Sequence, residues 1–147
     1  MTDTRSILAG ARSILLVDWP VRDVPNALAL AGLEVFVDGG PGPEDWFAYD
    51  VVDGAVVERR TGRPPDHADV VYTYRPLDEL PEIVDRALAV DAHTVWVHSG
   101  VTVDGAKDPA GCWLSDEDAS AARSLVEGAG LVYVDRPYIA DAARGLG

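Results

Sequence analysis

This chain has a single cysteine and fewer than half as many cationic as acidic side chains, and both shortages exclude something. Cys112 is the only cysteine, so no intramolecular disulfide is available, which suits a reducing compartment. Twelve Lys and Arg face 25 Asp and Glu, a net charge of −13, and that field opposes general binding to nucleic acid or to an anionic membrane surface. No window approaches the roughly 18 apolar residues of a membrane span, and residues 1–12 lack a charged segment followed by a long apolar core. Together these absences predict a cytoplasmic protein without nucleic-acid or membrane partners. The three histidines, His67, His93 and His98, stand in no His-x-x-x-His or Cys-x-x-Cys spacing, so no metal site is expected. A Gly-x-Ser-x-Gly elbow, a Walker loop and a zincin helix are all missing, as are internal repeats and low-complexity tracts.

What is present is an alternation of strand and helix signals within 147 residues, the length of one domain that can bury about two thirds of its unfolded surface. Residues 1–12 read as an N-terminal extension or helix. Residues 13–18 (Ile14, Leu15, Leu16, Val17) form a continuous apolar run of strand length, the pattern of a strand covered on both faces. A short helix is expected over 24–31, with Pro25 near its start and Gly32 as a stop, followed by a strand over 33–37. The tract Gly39-Gly40-Pro41-Gly42-Pro43 is a loop. Segments 49–52 and 55–58 flank Asp53-Gly54, a signal for a hairpin with a tight primed turn. The apolar run 70–74 stops at Arg75-Pro76 and becomes a helix whose Leu77, Leu80, Ile83, Val84, Ala87 and Leu88 share one stripe. A strand over 94–98, a long loop over 101–114, a helix N-capped by Ser115 and running to about Glu127, a strand over 131–134 and a last turn over 138–144 complete the pattern. Strand and helix alternating at this spacing predict an α/β fold, a doubly wound parallel sheet of about five strands with an inserted β-hairpin near residues 49–58. The hairpin interrupts the second crossover and leaves it little helix.

In open α/β sheets ligands bind beyond the carboxyl ends of the strands. That edge would carry Arg22, Arg75, Lys107 and Arg136, four of the twelve cations. Their forked donors suit a phosphate or carboxylate ligand; the alternative is structural ion pairs with Asp18, Asp23, Asp78 or Asp135. The first strand-to-helix turn, Asp18-Trp19-Pro20-Val21-Arg22-Asp23-Val24-Pro25, contains no glycine and two prolines. It therefore lacks the Gly-x-Gly-x-x-Gly fingerprint, which disfavours ordinary NAD or FAD binding there. Gly39, Gly40 and Gly42 follow the second strand instead, beside Asp38, which is placed either to accept a ribose hydroxyl or to stand solvated at a strand end. Trp19 and Trp113 at the same edge offer planes for an adenine or a pantetheine-like chain, or anchor their loops. Cys112 with His98 makes a thiolate nucleophile conceivable, but the spacing supplies no third orienting group. The carboxylates of Asp116, Glu117 and Asp118 are explained by a helix N-terminus.

Residues 68–89, Val95-Trp96-Val97 with Gly100, Ala129-Gly130-Leu131 and Val134-Asp135-Arg136 together resemble the small single-domain CoA-binding proteins, whose Rossmann-like domain is shared with the N-terminal part of the succinyl-CoA synthetase α subunit. Tyr74-Arg75-Pro76 followed by Leu80-Pro81-Glu82-Ile83-Val84 is similar to the family's third-strand arginine and Val-Pro-x-x-Val helix start. Asp135-Arg136 is similar to its Asp-Arg near the C-terminus. The resemblance spans 13–136 and is closer in the second half. After the first strand the family has a Gly-Ala-Ser loop that cradles the CoA pyrophosphate, and this chain has Asp18-Trp19-Pro20 in a shorter turn. The resemblance implies a CoA cofactor or ligand held by Trp19, Arg22, Asp38, Gly39, Gly40, Arg75, Pro76, Gly100 and Arg136, with Arg22 substituting for the lost backbone amides.

The expected function is non-catalytic binding of CoA, an acyl-CoA or a related nucleotide. One such unit offers no evident nucleophile, acid–base pair or metal set, and the family's ligase activity needs further domains. The rivals are a small enzyme acting on an acyl or phosphorylated metabolite through Cys112, His98 or Arg75, and a structural or regulatory partner protein that has lost an ancestral site. Pairing through the hairpin edge would make the latter a homodimer.

Overall fold

The computed structural model describes residues 4–18, 22–40, 42–75, 77–98, 115–135 and 139–145. In chain order its elements are α1 (Thr4–Gly10), β1 (Ser13–Val17), α2 (Asp23–Leu30), β2 (Glu34–Asp38), β3 (Trp46–Val52), β4 (Ala55–Arg60), β5 (Val70–Thr73), α3 (Leu80–Ala89), β6 (Thr94–Val97), α4 (Asp116–Gly128), β7 (Val132–Val134) and α5 (Ile139–Arg144). Short 3-10 turns at Pro43–Asp45 and Leu77–Glu79 precede β3 and α3.

The strands form one sheet in the order β4-β3-β2-β1-β5-β6-β7. β2, β1, β5, β6 and β7 are parallel, and β3 and β4 run antiparallel outward from β2. The expected five parallel strands and the hairpin are thus both present, the hairpin extending one edge of the sheet. It is longer than expected because Trp46, Phe47 and Ala48 also pair, with Asp38, Val37 and Phe36. At its tip Asp53 has φ 52° and Gly54 φ 80°, both central residues left-handed, as a type I′ turn requires.

The apolar run of β1 divides its side chains between two cores. Ile14 and Leu16 pack with α2 and α5 residues such as Leu28 and Ile139, and Leu15 packs with Ile83 and Val84 of α3 and Val126 of α4. Alternation along the strand produces this split, and burial of each such side chain contributes about 1.5–3 kcal/mol. α3 begins at Leu80, three residues later than the apolar stripe suggests, because Leu77–Glu79 form a 3-10 turn, and Pro81 sits in its first turn. α4 is capped by Ser115, whose Oγ accepts the Asp118 N–H at 3.1 Å. The crossover from β4 to β5 contains no helix, and residues 61–69 form an irregular, bent connection. No helix among the described residues is long and apolar enough to cross a membrane.

Candidate functional site at the carboxyl edge

β1 lies between β2, which follows it, and β5, which opens the other half of the sheet. The strand order therefore reverses between β1 and β5, the place where an open α/β sheet leaves a crevice. Two charged residues face each other there. Asp18 leaves β1 with φ 68°, a left-handed conformation that aspartate tolerates better than most residues. Its N–H donates to the Asp38 carbonyl at 2.8 Å. Its carboxylate accepts Nη1 of Arg75 at 3.0 Å.

Arg75, at the end of β5, is oriented by three contacts. Its backbone N–H donates to Thr73 Oγ1 at 3.0 Å, and Nε and Nη2 grip Glu79 at 3.2 and 2.8 Å. The Glu79 hydrogen bond, with the Glu79 and Asp18 charges behind it, raises the guanidinium pKa further still. The side chains of Arg75 and Asp18 are 34% and 38% exposed, so the pair crosses the crevice within reach of a solute. Burial raises the neighbouring Tyr74 phenol, Asp18 adds to the shift and Arg75 opposes it.

Arg22 immediately precedes α2, is exposed, and makes no ion pair among the described residues. It lies toward the hairpin, where Tyr49 donates to Glu58 at 3.3 Å. Burial and Glu58 push the Tyr49 phenol up to about 12, and Arg22 opposes that shift.

The glycine loop after β2 already holds protein acceptors. The N–H of Gly39 donates to the Asp45 carbonyl at 2.8 Å, that of Gly40 to Asp38 Oδ1 at 3.4 Å, and that of Gly42 to Asp45 Oδ2 at 3.0 Å. A Cβ on Gly40 would lie 2.7 Å from Asp45 Oδ2, so glycine is needed here to admit a carboxylate of the same loop. Asp38 is buried, 5% exposed, and its carboxylate is ion-paired with Arg86 of α3.

Of the nine candidate residues, the structure brings Arg75 to the crevice, places Arg22 on the hairpin side of the same edge, and puts Asp38, Gly39 and Gly40 at the end of β2. Trp19, Pro76, Gly100 and Arg136 lie outside the described residues, as do Lys107, Cys112 and Trp113. His98 directly follows β6, with its N–H on the Thr73 carbonyl at 2.8 Å and its ring edge-on to Tyr72 at 6.5 Å. Sequence reasoning missed Glu79, Asp45 and Arg86. An Arg at one position and a Glu four residues on was a legible signal for the first. No group of three His, Cys, Asp or Glu able to hold a metal occurs among the described residues.

A family model described as a CoA binding domain matches residues 47–140, well over half the chain. The match takes in Arg75, Pro76, Gly100 and Arg136, and it begins after β1, α2 and β2, the segment that carries the glycine-free turn. Among solved structures, the crystal structure of Prb, described as the PH1109 protein redesigned for binding, is similar in fold. It has a TM-score of 0.57 and 20% identity over 97% of this chain and 88% of that one. No protein of curated function matches.

Proposed function

The chain belongs to the CoA-binding domain family, and from that membership we propose that it binds CoA, an acyl-CoA or a related nucleotide at the carboxyl edge of its sheet without transforming it. The observation that carries the reading is Arg75, which lies within the matched residues and presents its guanidinium at the point where the strand order reverses. A phosphate arriving there exchanges for the Asp18 carboxylate on Nη1 while Glu79 keeps the fork oriented, so the site is organised before the ligand comes. Arg22, exposed at the start of α2, supplies a second cation in place of the missing backbone amides. Gly39 and Gly40 line the approach with their N–H groups turned to Asp45 and Asp38, which leaves phosphate recognition to side chains. Trp19, Pro76, Gly100 and Arg136 complete the proposed set.

Thermal unfolding with and without millimolar CoA, acetyl-CoA, NAD and ATP tests this. A ligand at about a hundred times its dissociation constant adds roughly 2.7 kcal/mol and raises the midpoint by several degrees. The expected result is a rise with CoA that is diminished in Arg22→Ala and in Arg75→Ala. No rise with any of the four overturns the proposal.

A further inference from the structure

The helix-free crossover leaves the β2-β3-β4 end of one sheet face without a helix, beyond the part that α3 and α4 cover, and a groove has formed there. Phe36, Ala48 and Arg59 stand directly opposite one another across β2, β3 and β4, with Ala48 buried between its two larger neighbours. Two hollows of about 410 and 350 Å³ share Glu34, Phe36 and Arg59, each within the usual size of a small-molecule site. The crossover forms one wall, stiffened by Pro64-Pro65 and fixed at both ends. Thr61 N–H donates to the Trp46 carbonyl at 2.8 Å and Thr61 Oγ1 to the Arg63 carbonyl at 2.9 Å. His67 meets Asp69 at 2.7 Å, and Asp69 in turn accepts the Arg12 N–H at 2.7 Å. The groove lies on the face of the sheet, apart from Asp18 and Arg75.

The charges around it do not cancel in place. Arg59 is matched by Asp50 through Nε at 2.9 Å and His67 by Asp69. Arg63, Glu34 and Asp66 line the groove without an ion pair among the described residues. One cation and two carboxylates around the half-buried ring of Phe36 reject a simple anion and complement a zwitterion.

We propose that this groove binds a free α-amino acid with an apolar side chain. Its carboxylate sits on Arg63, its ammonium between Glu34 and Asp66, and its side chain on Phe36. The site does not depend on the CoA reading.

Titration of the ¹⁵N-labelled protein with L-phenylalanine, phenethylamine and 3-phenylpropionate, followed by amide chemical shifts, separates the contributions. L-Phenylalanine is expected to shift Phe36, Ala48, Arg59, Arg63 and His67 saturably, and each singly charged analogue to bind about tenfold or more weakly. Arg63→Ala should weaken L-phenylalanine about tenfold and leave phenethylamine unchanged; Glu34→Gln should weaken both amines and leave 3-phenylpropionate unchanged. Both positions are exposed, and a dispersed spectrum shows that each variant is folded. The proposal is overturned by the absence of saturable shifts up to about 20 mM, by shifts confined to Asp18 and Arg75, or by phenethylamine binding as tightly as L-phenylalanine.

Discussion

Replacing Asp18 separates its two roles, because asparagine keeps one and alanine keeps neither. The residue holds φ 68° and its carboxylate pairs with Arg75 at 3.0 Å. Both side chains are more than a third exposed, so solvent screening limits the pair to about 0.2–1 kcal/mol. Asn tolerates the left-handed region, whereas a residue without a short polar side chain loses a further 1 kcal/mol or so. Asp18→Asn should therefore cost at most about 1 kcal/mol and Asp18→Ala about 1–2 kcal/mol. With a urea m-value near 2 kcal/mol/M for a chain of this size, the two midpoints should differ by about half a molar. Ligand binding should move the other way. Asp18 competes for Nη1 of Arg75, and its removal should tighten CoA binding up to about fivefold in Asp18→Asn. Urea melts with parallel calorimetric titrations measure both quantities. Equal stability of the two variants would refute the backbone argument, and weakened CoA binding in Asp18→Asn would refute the competition argument.

Leu16 is fully buried between β2 and β5, and Leu16→Ala should lose about 3–5 kcal/mol in urea melts with the m-value unchanged. Gly54 holds φ 80° at the hairpin tip, so Gly54→Ala should lose about 1 kcal/mol and disturb amide shifts in β3 and β4 before those of β6. The His67 pKa is raised, chiefly by its hydrogen bond to Asp69. Its contribution is then complete below the unfolded value near 6.5 and is lost as the pH rises through the higher folded value. The stability difference between the wild type and His67→Gln should therefore be larger at about pH 5.5 than at about pH 8.5, and a difference that grows with pH would contradict the assignment. For Asp69, burial pushes the carboxyl up, but the Arg12 N–H, His67 and the Ser13 N–H together bring it below its ordinary value. Its contribution is present above the unfolded value near 3.8 and fails as the pH falls through the folded one.

Much of the fold was legible because its signals are local. The unbroken apolar run at Ile14, Leu15, Leu16 and Val17 has the length and pattern of a strand covered on both faces, and Asp53-Gly54 specified its own turn. The start of the hairpin was less visible. Trp46 and Phe47 follow a proline and glycine tract, and what makes them strand is pairing with Asp38 and Val37, a partner that the local sequence does not announce. The site was legible by position and less so by contact. Arg75 follows from the rule that a strand end meets a helix start, and Asp18 was among the carboxylates weighed for it. The reach of Arg86 from the body of α3 to Asp38 depends on how α3 lies on the sheet, which no local pattern encodes. Gly39, Gly40 and Gly42 read as a loop at the edge where a ligand would lie, yet Asp45 a few residues on supplies an internal acceptor for two of their three N–H groups. The groove over Phe36 and Ala48 follows from a crossover without a helix. That crossover was foreseen from the hairpin, but the cavity beneath it was not.

A calorimetric titration of CoA into the wild type and into Arg75→Ala decides whether Arg75 holds the ligand. One molecule of CoA per chain is expected, with affinity reduced about 10- to 100-fold in the variant as charge-assisted hydrogen bonds are lost. Absence of binding to the wild type at millimolar CoA, or equal affinity in the two proteins, would contradict that expectation.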